Sequence, residues 1–374
     1  MREFGFTFFD KDSMLRHMSF NKLNELRKFL VSKVPSNAYY SSAYYSNPSA
    51  EAMDGKGWLG ADLIFDIDAD HLYVEGTEGA KTWYCLKCGY GGNNHPPPKC
   101  PKCGNDELRE VKWMTSSYLK AAIDECEKLI DVLLEDFGLT LSDIKLYFSG
   151  HRGFHIHVEN KEIRKLSQEA RREIVDYLEA VGMEIGPIDP YLKFMDLNSS
   201  GWMGRIARGV YDTILEATEE LLKSMGIPKR IREKILSFKT DILRALEAKP
   251  SNWDPLLKLS KSALRRIMDY VIERAKCRVD ERVTIDTHRL IRLPGSLHGK
   301  TGLIVKEVKV EELDSFDPLK DASPFKRGYL KVKIRQPLPK DIFGRRISNE
   351  GNVIDLEAPL AIYLIANRGA DPIE

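Results

Sequence analysis

The segment DLIFDID, residues 62–68, constrains this chain more than any other stretch. Leu63, Phe65 and Ile67 recur at every second position, the period of a half-buried strand. Because strand side chains alternate between faces, Asp66 and Asp68 leave one face together while the apolar set turns to the core. Two neighbouring carboxylates repel each other unless a positive charge lies between them, and a divalent cation is the usual solution. A solvated acidic strand end is the competing reading of so short a motif.

Downstream, KLYFSGHRGFHIHV (145–158) reads as a hairpin-like unit: a strand, a glycine-flanked polar turn, and a strand alternating Phe154, Ile156 and Val158 with His155 and His157. Gly150 and Gly153 allow a tight bend and a close approach of backbone to ligand. Ser149, Arg152 and His155 offer a hydroxyl, a guanidinium and an imidazole, a set suited to a polyphosphate whose metal ion sits on Asp66 and Asp68. His157 shares a face with His155 and reads as a structural histidine. Further on, VTIDTHRLIRLPGSLHGKTG (283–302) adds a third acid, Asp286, then Arg289, Arg292, His298 and Lys300, with a turn at Pro294–Gly295.

Between these motifs, Cys85, Cys88, Cys100 and Cys103 form two CxxC knuckles separated by eleven residues, each followed by glycine. That spacing predicts a tetrahedral Zn(Cys)₄ site, closed and therefore structural. A pair of disulfides competes with it, but the rest of the chain lacks the cysteine density of a small secreted scaffold, and a core of this size needs no staples. His95 is an alternative ligand that reads as loop. Cys126 and Cys277 fall on apolar faces of predicted helices and read as core thiols.

DLIFDID, SGHRGFH and the IDTHRLIRLPGSLHGKTG block, in this order, resemble the catalytic motifs of the archaeal and eukaryotic DNA primase small (catalytic) subunit. REFGFTFFDKDSMLRHMSF near the start extends the resemblance over roughly residues 2–310. The resemblance implies a primase that makes short primers de novo on single-stranded DNA by nucleotidyl transfer during replication, with DNA polymerase activity alongside. It implies two Mg²⁺ or Mn²⁺ ions on Asp66, Asp68 and Asp286. Ser149, Arg152 and His155 would grip the triphosphate of a nucleoside triphosphate, with Arg292 and His298 completing the cradle. Glu3 and Arg16 fall on positions near metal or nucleotide. Position 292 is lysine in some relatives, and position 151 is arginine in some where this chain has His151. A structural zinc site in the same place and a separate large subunit as heterodimer partner are also implied. Relatives usually carry some tens of residues before the REFGF segment, including a helical stretch with tyrosine and arginine, whereas here Met1 immediately precedes it. Two other classes compete: a primase-like repair or end-joining polymerase that extends existing termini, and a non-catalytic zinc-bearing nucleic-acid binding module.

The organisation follows from periodicity. Apolar positions predict an amphipathic helix over 117–137 ended by Gly138, a weaker one over about 167–181, and an almost wholly helical block from Tyr211 to Cys277. GLIVKEVKV (302–310) returns to strand alternation, and APLAIYLIANRGA (358–370) suits a short helix packed on the core. The expected class is α+β, a primase-polymerase core of mixed β-sheets flanked by helices, with a zinc-knuckle insertion and a helical subdomain. The core covers 1–210 and 278–335 with the insertion at 81–108, the helical subdomain covers 211–277, and 336–374 is a C-terminal extension without an assigned role. Lysine plus arginine number 57 against 56 aspartate plus glutamate, so DNA contact must come from local basic runs such as 223–239 and 323–335 rather than from global charge. No run approaches ~20 apolar residues and no charged-then-apolar leader opens the chain, so the expectation is a soluble, intracellular protein with no membrane role, in a reducing compartment.

Overall fold

The computed structural model describes residues 1–72, 74, 80–183, 189–335, 337–339, 341–347 and 353–373. Residues Met1–Glu127, Thr140–Val175 and Arg278–Glu374 form one unit; Lys128–Leu139 and Asp176–Cys277 form a second. The class is α+β, as expected, with several antiparallel sheets and helices around them.

In the first unit a four-stranded sheet runs Lys306–Val308, Ile144–Phe148, Gly153–Val158, Leu63–Asp68. The expected hairpin is its centre, and the acidic strand pairs antiparallel with the hairpin's second strand, placing His155 opposite Asp66 and Gly153 opposite Asp68. A β-carbon at position 153 would lie 1.9 Å from the Ile67 carbonyl oxygen, so only glycine permits this pairing. The acidic strand is more deeply buried than alternation suggests. Ile64 is buried as well as Leu63, Phe65 and Ile67, because Val283 and Ile291 cover its second face. The physical reason is that a sheet covered on both faces needs apolar residues on both, which makes the pattern continuous rather than alternating.

A second four-stranded sheet has the order Leu290–Arg292, Asn37–Ser41, Phe4–Phe8, Lys11–Met18. It carries the REFGF segment and brings Arg292 opposite Tyr39. Lys81–Cys85 pairs with Gly91–Asn93 on one side and Leu108–Lys112 on the other, a small sheet built around the cysteine knuckles. Near the C-terminus, Tyr329–Ile334 is flanked by Val353–Glu357 and Ala370–Pro372. The helix Ala358–Ala366 buries Leu360, Ala361, Tyr363 and Leu364, matching the short packed helix expected there. The strand expected over 302–310 is shorter, Lys306–Val308, and Ile304 makes an isolated bridge to Leu297.

Buried charge organises the base of this unit. Asp62 takes salt bridges from Arg2 and Arg164. Arg171, about 1 % exposed, donates to the carbonyls of Ala61 at 2.6 Å, Asp62 at 3.1 Å, Leu166 at 3.2 Å and Thr284 at 3.5 Å. One guanidinium thus ties the segment entering the acidic strand to the short helix Glu281–Ile285, which precedes Asp286.

The second unit is helical. Gly201–Leu215 packs on Lys261–Ala275 through Ile206, Val210 and Ile214 against Leu264, Ile267 and Val271, the spacing of apolar stripes on facing helices. Pro228 precedes the helix Lys229–Ser237, and PSNWDP lies after Lys239–Leu246 with its Asp254 and Pro255 opening the next helix, Asp254–Leu259. The helices expected over 117–137 and 167–181 are Ser116–Glu135 and Gln168–Leu178. Among the described residues no helix is long and apolar enough to cross a membrane.

Candidate active site

Asp66 and Asp68 are half-buried at the end of their strand. Burial, then the charges of Asp68 and Asp280, push the Asp66 carboxyl up to about 7, against the pull of Arg289 and Arg292. The backbone N–H of Asp280 donates to the Asp66 carbonyl at 3.0 Å, so Asp280 enters the Glu281–Ile285 helix beside the acidic strand. Asp286 stands at the other end of that helix, where its carboxylate accepts from the His288 N–H at 2.8 Å. The His288 ring in turn stacks on Tyr45 and meets its hydroxyl at 3.0 Å. Among the described residues, Asp66, Asp68 and Asp286 do not converge closely enough to form one three-ligand group; the four cysteines do. Crowded, partly buried carboxylates with a raised proton affinity nevertheless have the hard-oxygen chemistry and the unbalanced charge that a divalent cation relieves.

The hairpin turn places the basic set. Ser149 accepts the N–H groups of His151 and Gly153 at 3.3 Å each, so its oxygen shapes the turn and its own proton is left to donate. Arg152 reaches Asp70 at 2.8 Å, and its Nε is buried with no hydrogen-bond partner. His155 Nε2 lies 3.6 Å from an Asp66 oxygen. Burial, then Arg292, lower His155 to about 3, so this contact is a neutral imidazole beside a carboxyl and not an ion pair. His157 is equally buried; its Nδ1 meets the Tyr40 hydroxyl at 3.1 Å, the structural role expected for it.

From the other side, Arg292 stacks over Tyr39 and donates to Asn37 Oδ1 at 2.6 Å. The same oxygen accepts the Gly299 N–H at 3.0 Å, so one amide ties the arginine to the loop carrying His298. His298 lies flat against His151, ring centroids 4.7 Å apart and planes within 6°. Burial and the surrounding cations hold both imidazoles well below the usual histidine range. His298 Nδ1 accepts the Lys300 N–H at 3.2 Å, which leaves the proton on Nε2, a donor. Arg16 and Glu3 sit together: Arg16 Nε is 3.3 Å from Glu3, which also binds Lys56 at 3.0 Å. Against the effect of burial, Lys56, the His17 N–H and Arg16 hold the Glu3 carboxyl below its ordinary value.

The four thiols of Cys85, Cys88, Cys100 and Cys103 lie within 4.8 Å of one another. The pairs Cys85–Cys103 and Cys88–Cys100 are each separated by 3.6 Å, close to the edge of about 3.8 Å expected for a tetrahedron with Zn–S near 2.3 Å. The separation is far beyond a disulfide bond, and all four cysteines are free. Gly89 and Gly104 take φ of 70° and 73° after each knuckle, where their N–H groups return to the carbonyls of Cys85 and Cys100. His95 is exposed and turned to Glu110 at 3.5 Å, outside the cluster. Cys126 and Cys277 are buried and in no disulfide, as expected of core thiols.

The family model for the DNA primase small subunit matches residues 110–310. A protein named DNA primase small subunit PriS from Methanothrix thermoacetophila is 34% identical, the match covering 99% of this chain and 92% of the relative. The chain belongs to the DNA primase small subunit family. Proteins of the same name from Pyrobaculum aerophilum and Methanococcoides burtonii are 35% and 32% identical, covering 97% and 99% of this chain and 89% and 92% of their own. Membership carries the catalytic primase role and sets the repair-polymerase and non-catalytic readings behind it. The relatives also align beyond residue 310, through the C-terminal sheet and helix of this primase subunit.

Sequence reasoning missed Asp280, Asn37 and Asp70. Asp280 lies six residues before the third acid that was singled out, in an acidic stretch that looks like a helix start. Asn37 lies outside the motifs, and Asp70 lies two residues past the acidic pair. Only the pairing of strands distant in sequence brings them in.

Proposed function

We propose that this primase subunit joins nucleotides at a site built by Asp66, Asp68, Ser149, Arg152, His155, Arg292 and His298, with Arg16 at its margin. The observation that carries the reading is the Asp66 carboxyl, held up at about 7 by burial and by Asp68 and Asp280, beside a wall of cations and neutral imidazole donors. Asp66 and Asp68 would hold Mg²⁺ or Mn²⁺, with Asp286 as the third carboxylate and Asp280, at the opposite end of the Glu281–Ile285 helix, as its competitor; among the described residues neither forms a three-ligand group with the pair. Such ions lower the pKa of an attacking 3′-hydroxyl and neutralise charge on the departing pyrophosphate.

The chain's own residues supply the rest. Arg152 and Arg292 present fixed charge to the phosphates, and His298 Nε2–H and the Ser149 hydroxyl donate without adding charge. His155, neutral beside Asp66, orients that carboxylate without competing for its charge. The four cysteines would hold Zn²⁺ as a closed structural site. A large subunit and a single-stranded DNA template are the expected partners, and DNA polymerase activity the expected companion of primer synthesis.

The test is primer synthesis on unprimed single-stranded DNA with labelled nucleotides and Mg²⁺ or Mn²⁺. Wild type should make product and Asp66→Ala/Asp68→Ala none. Extension of primed templates only would instead favour the repair-type polymerase. Asp280→Asn and Asp286→Asn, compared in the same assay, decide which acid completes the site: the essential one loses synthesis and its counterpart keeps it.

A further inference from the structure

A cavity of about 220 Å³ opens beside the hairpin turn. It is smaller than the roughly 300–1,000 Å³ of sites that enclose drug-sized molecules, and its wall is strongly basic. His151 and Arg152 come from the turn, Lys300 from the loop after His298, Arg109 and Lys112 from the strand Leu108–Lys112, and Arg368 from the residues following the C-terminal helix. Glu110 also lines it and faces His95. Asp70 is shared by Arg152 at 2.8 Å and Lys112 at 2.9 Å. Arg109 and Lys300 have no carboxylate within ion-pair distance among the described residues. Converging cations repel one another, and Lys300 is lowered by burial and then by Arg109, Arg152 and Arg292. A small polar cavity with surplus positive charge and an unpartnered Arg152 Nε suits a compact polyanion.

We propose that Arg109 and Lys112, on the cysteine-bearing sheet, join Lys300, His151 and Arg152 in lining one condensed-phosphate subsite. This rests on the reading of the hairpin turn as the triphosphate grip, and it assigns two further binding residues to that grip. It also gives the cysteine cluster a task. Cys85 pairs with Leu108, and Tyr84 pairs with Arg109, so the register that aims Arg109 is fixed one position from a thiolate of the cluster. Asp70 holds Arg152 and Lys112 in place until phosphate oxygens take over that role. The occupant is either the outer phosphates of an incoming nucleoside triphosphate or the pyrophosphate that leaves, two sources of one chemistry.

The experiment is calorimetric binding of inorganic tripolyphosphate and pyrophosphate to the full chain, for wild type, Arg109→Ala/Lys112→Ala, Arg109→Lys/Lys112→Arg and Arg152→Ala, with melting temperature as the folding control. Steady-state incorporation is measured in parallel. The alanine pair should weaken tripolyphosphate binding about tenfold or more, the scale of one lost charge-assisted contact, while the charge-keeping pair binds much as wild type. A matching rise in KM for nucleotide with kcat unchanged assigns the subsite to the incoming triphosphate; an unchanged KM with weaker pyrophosphate inhibition assigns it to the leaving group. If the alanine pair binds both anions as wild type does while Arg152→Ala does not, the proposal is overturned and the triphosphate grip stands. If Arg152→Ala also binds normally, the grip itself is wrong.

Discussion

The cysteine cluster and the carboxylate site are both places where like charges gather, yet they are built in opposite ways. The cluster draws four soft ligands from residues 85–103, joined by two knuckles of the same geometry, and its thiols already stand at nearly tetrahedral spacing. The carboxylate site draws hard oxygens from residues 66–68 and from the ends of a helix more than two hundred residues later. Among the described residues its acids form no three-ligand group, and burial together with Asp68 and Asp280 pushes Asp66 toward protonation. A closed shell can be completed locally because its function is to hold a fold together. An open one must leave room for substrate, so its cost is borne by the surrounding structure.

The largest expected effect falls on the open site. Asp66→Ala/Asp68→Ala should lower synthesis by about 10³-fold or more, the scale of losing metal-assisted phosphoryl chemistry, with no fall in melting temperature, since repulsion is removed; a variant that melts many degrees lower would break the contrast. At the closed site the expectation is reversed. Cys100→Ser/Cys103→Ser should release metal, seen by elemental analysis, and cost the Leu108–Lys112 strand roughly 3 kcal/mol or more of hydrogen-exchange protection.

Arg171→Ala tests what holds the two ends of the open site together. Four carbonyls lose their donor, and unfolding by denaturant should show a loss of about 2–3 kcal/mol, only partly restored by Arg171→Lys, whose single ammonium cannot reproduce the fork. An unchanged midpoint would mean that the strand and helix are held by packing alone.

Stability against pH sharpens the comparison further. The folded carboxyl of Asp66 is raised from 3.8 to about 7, so the native state binds the extra proton. That contribution is complete below about 4 and lost as pH rises through 7. The buried histidines act in the opposite direction, since they are neutral when folded and take up protons when unfolded. The Asp66 share is therefore the difference between metal-free wild type and Asp66→Asn, about 2–3 kcal/mol more favourable to the variant at pH 8 than at pH 5. Saturating Mn²⁺ should erase it. The smallest effect belongs to Asn37→Ala, which frees Arg292 and the Gly299 loop and should raise KM for nucleotide about fivefold with kcat nearly unchanged, the cost of roughly one hydrogen bond.

Much of this architecture is legible in the residues. The hairpin is announced by two apolar alternations around SGHRG, and the helix Ser116–Glu135 by its stripe from Leu119 to Leu134. What alternation misjudges is burial. Ile64 looks like an outward residue until Val283 and Ile291 cover it, and the strand expected over 302–310 shortens because residues near Leu303 form turns with the His298 loop.

By itself the sequence determined the gathering of four cysteines at metal-ligand spacing and the local shape of each motif, because spacing within a knuckle, a turn or a strand fixes geometry over a few residues. It also determined the family, through motifs whose order survives over the chain. Only the tertiary structure decided which acid stands beside Asp66, which amide tethers Arg292, and that Arg109 and Lys112 line one cavity with Arg152. Those neighbours come from strands and loops far apart in the chain, and electrostatic coupling depends on distance in space, which no local pattern encodes.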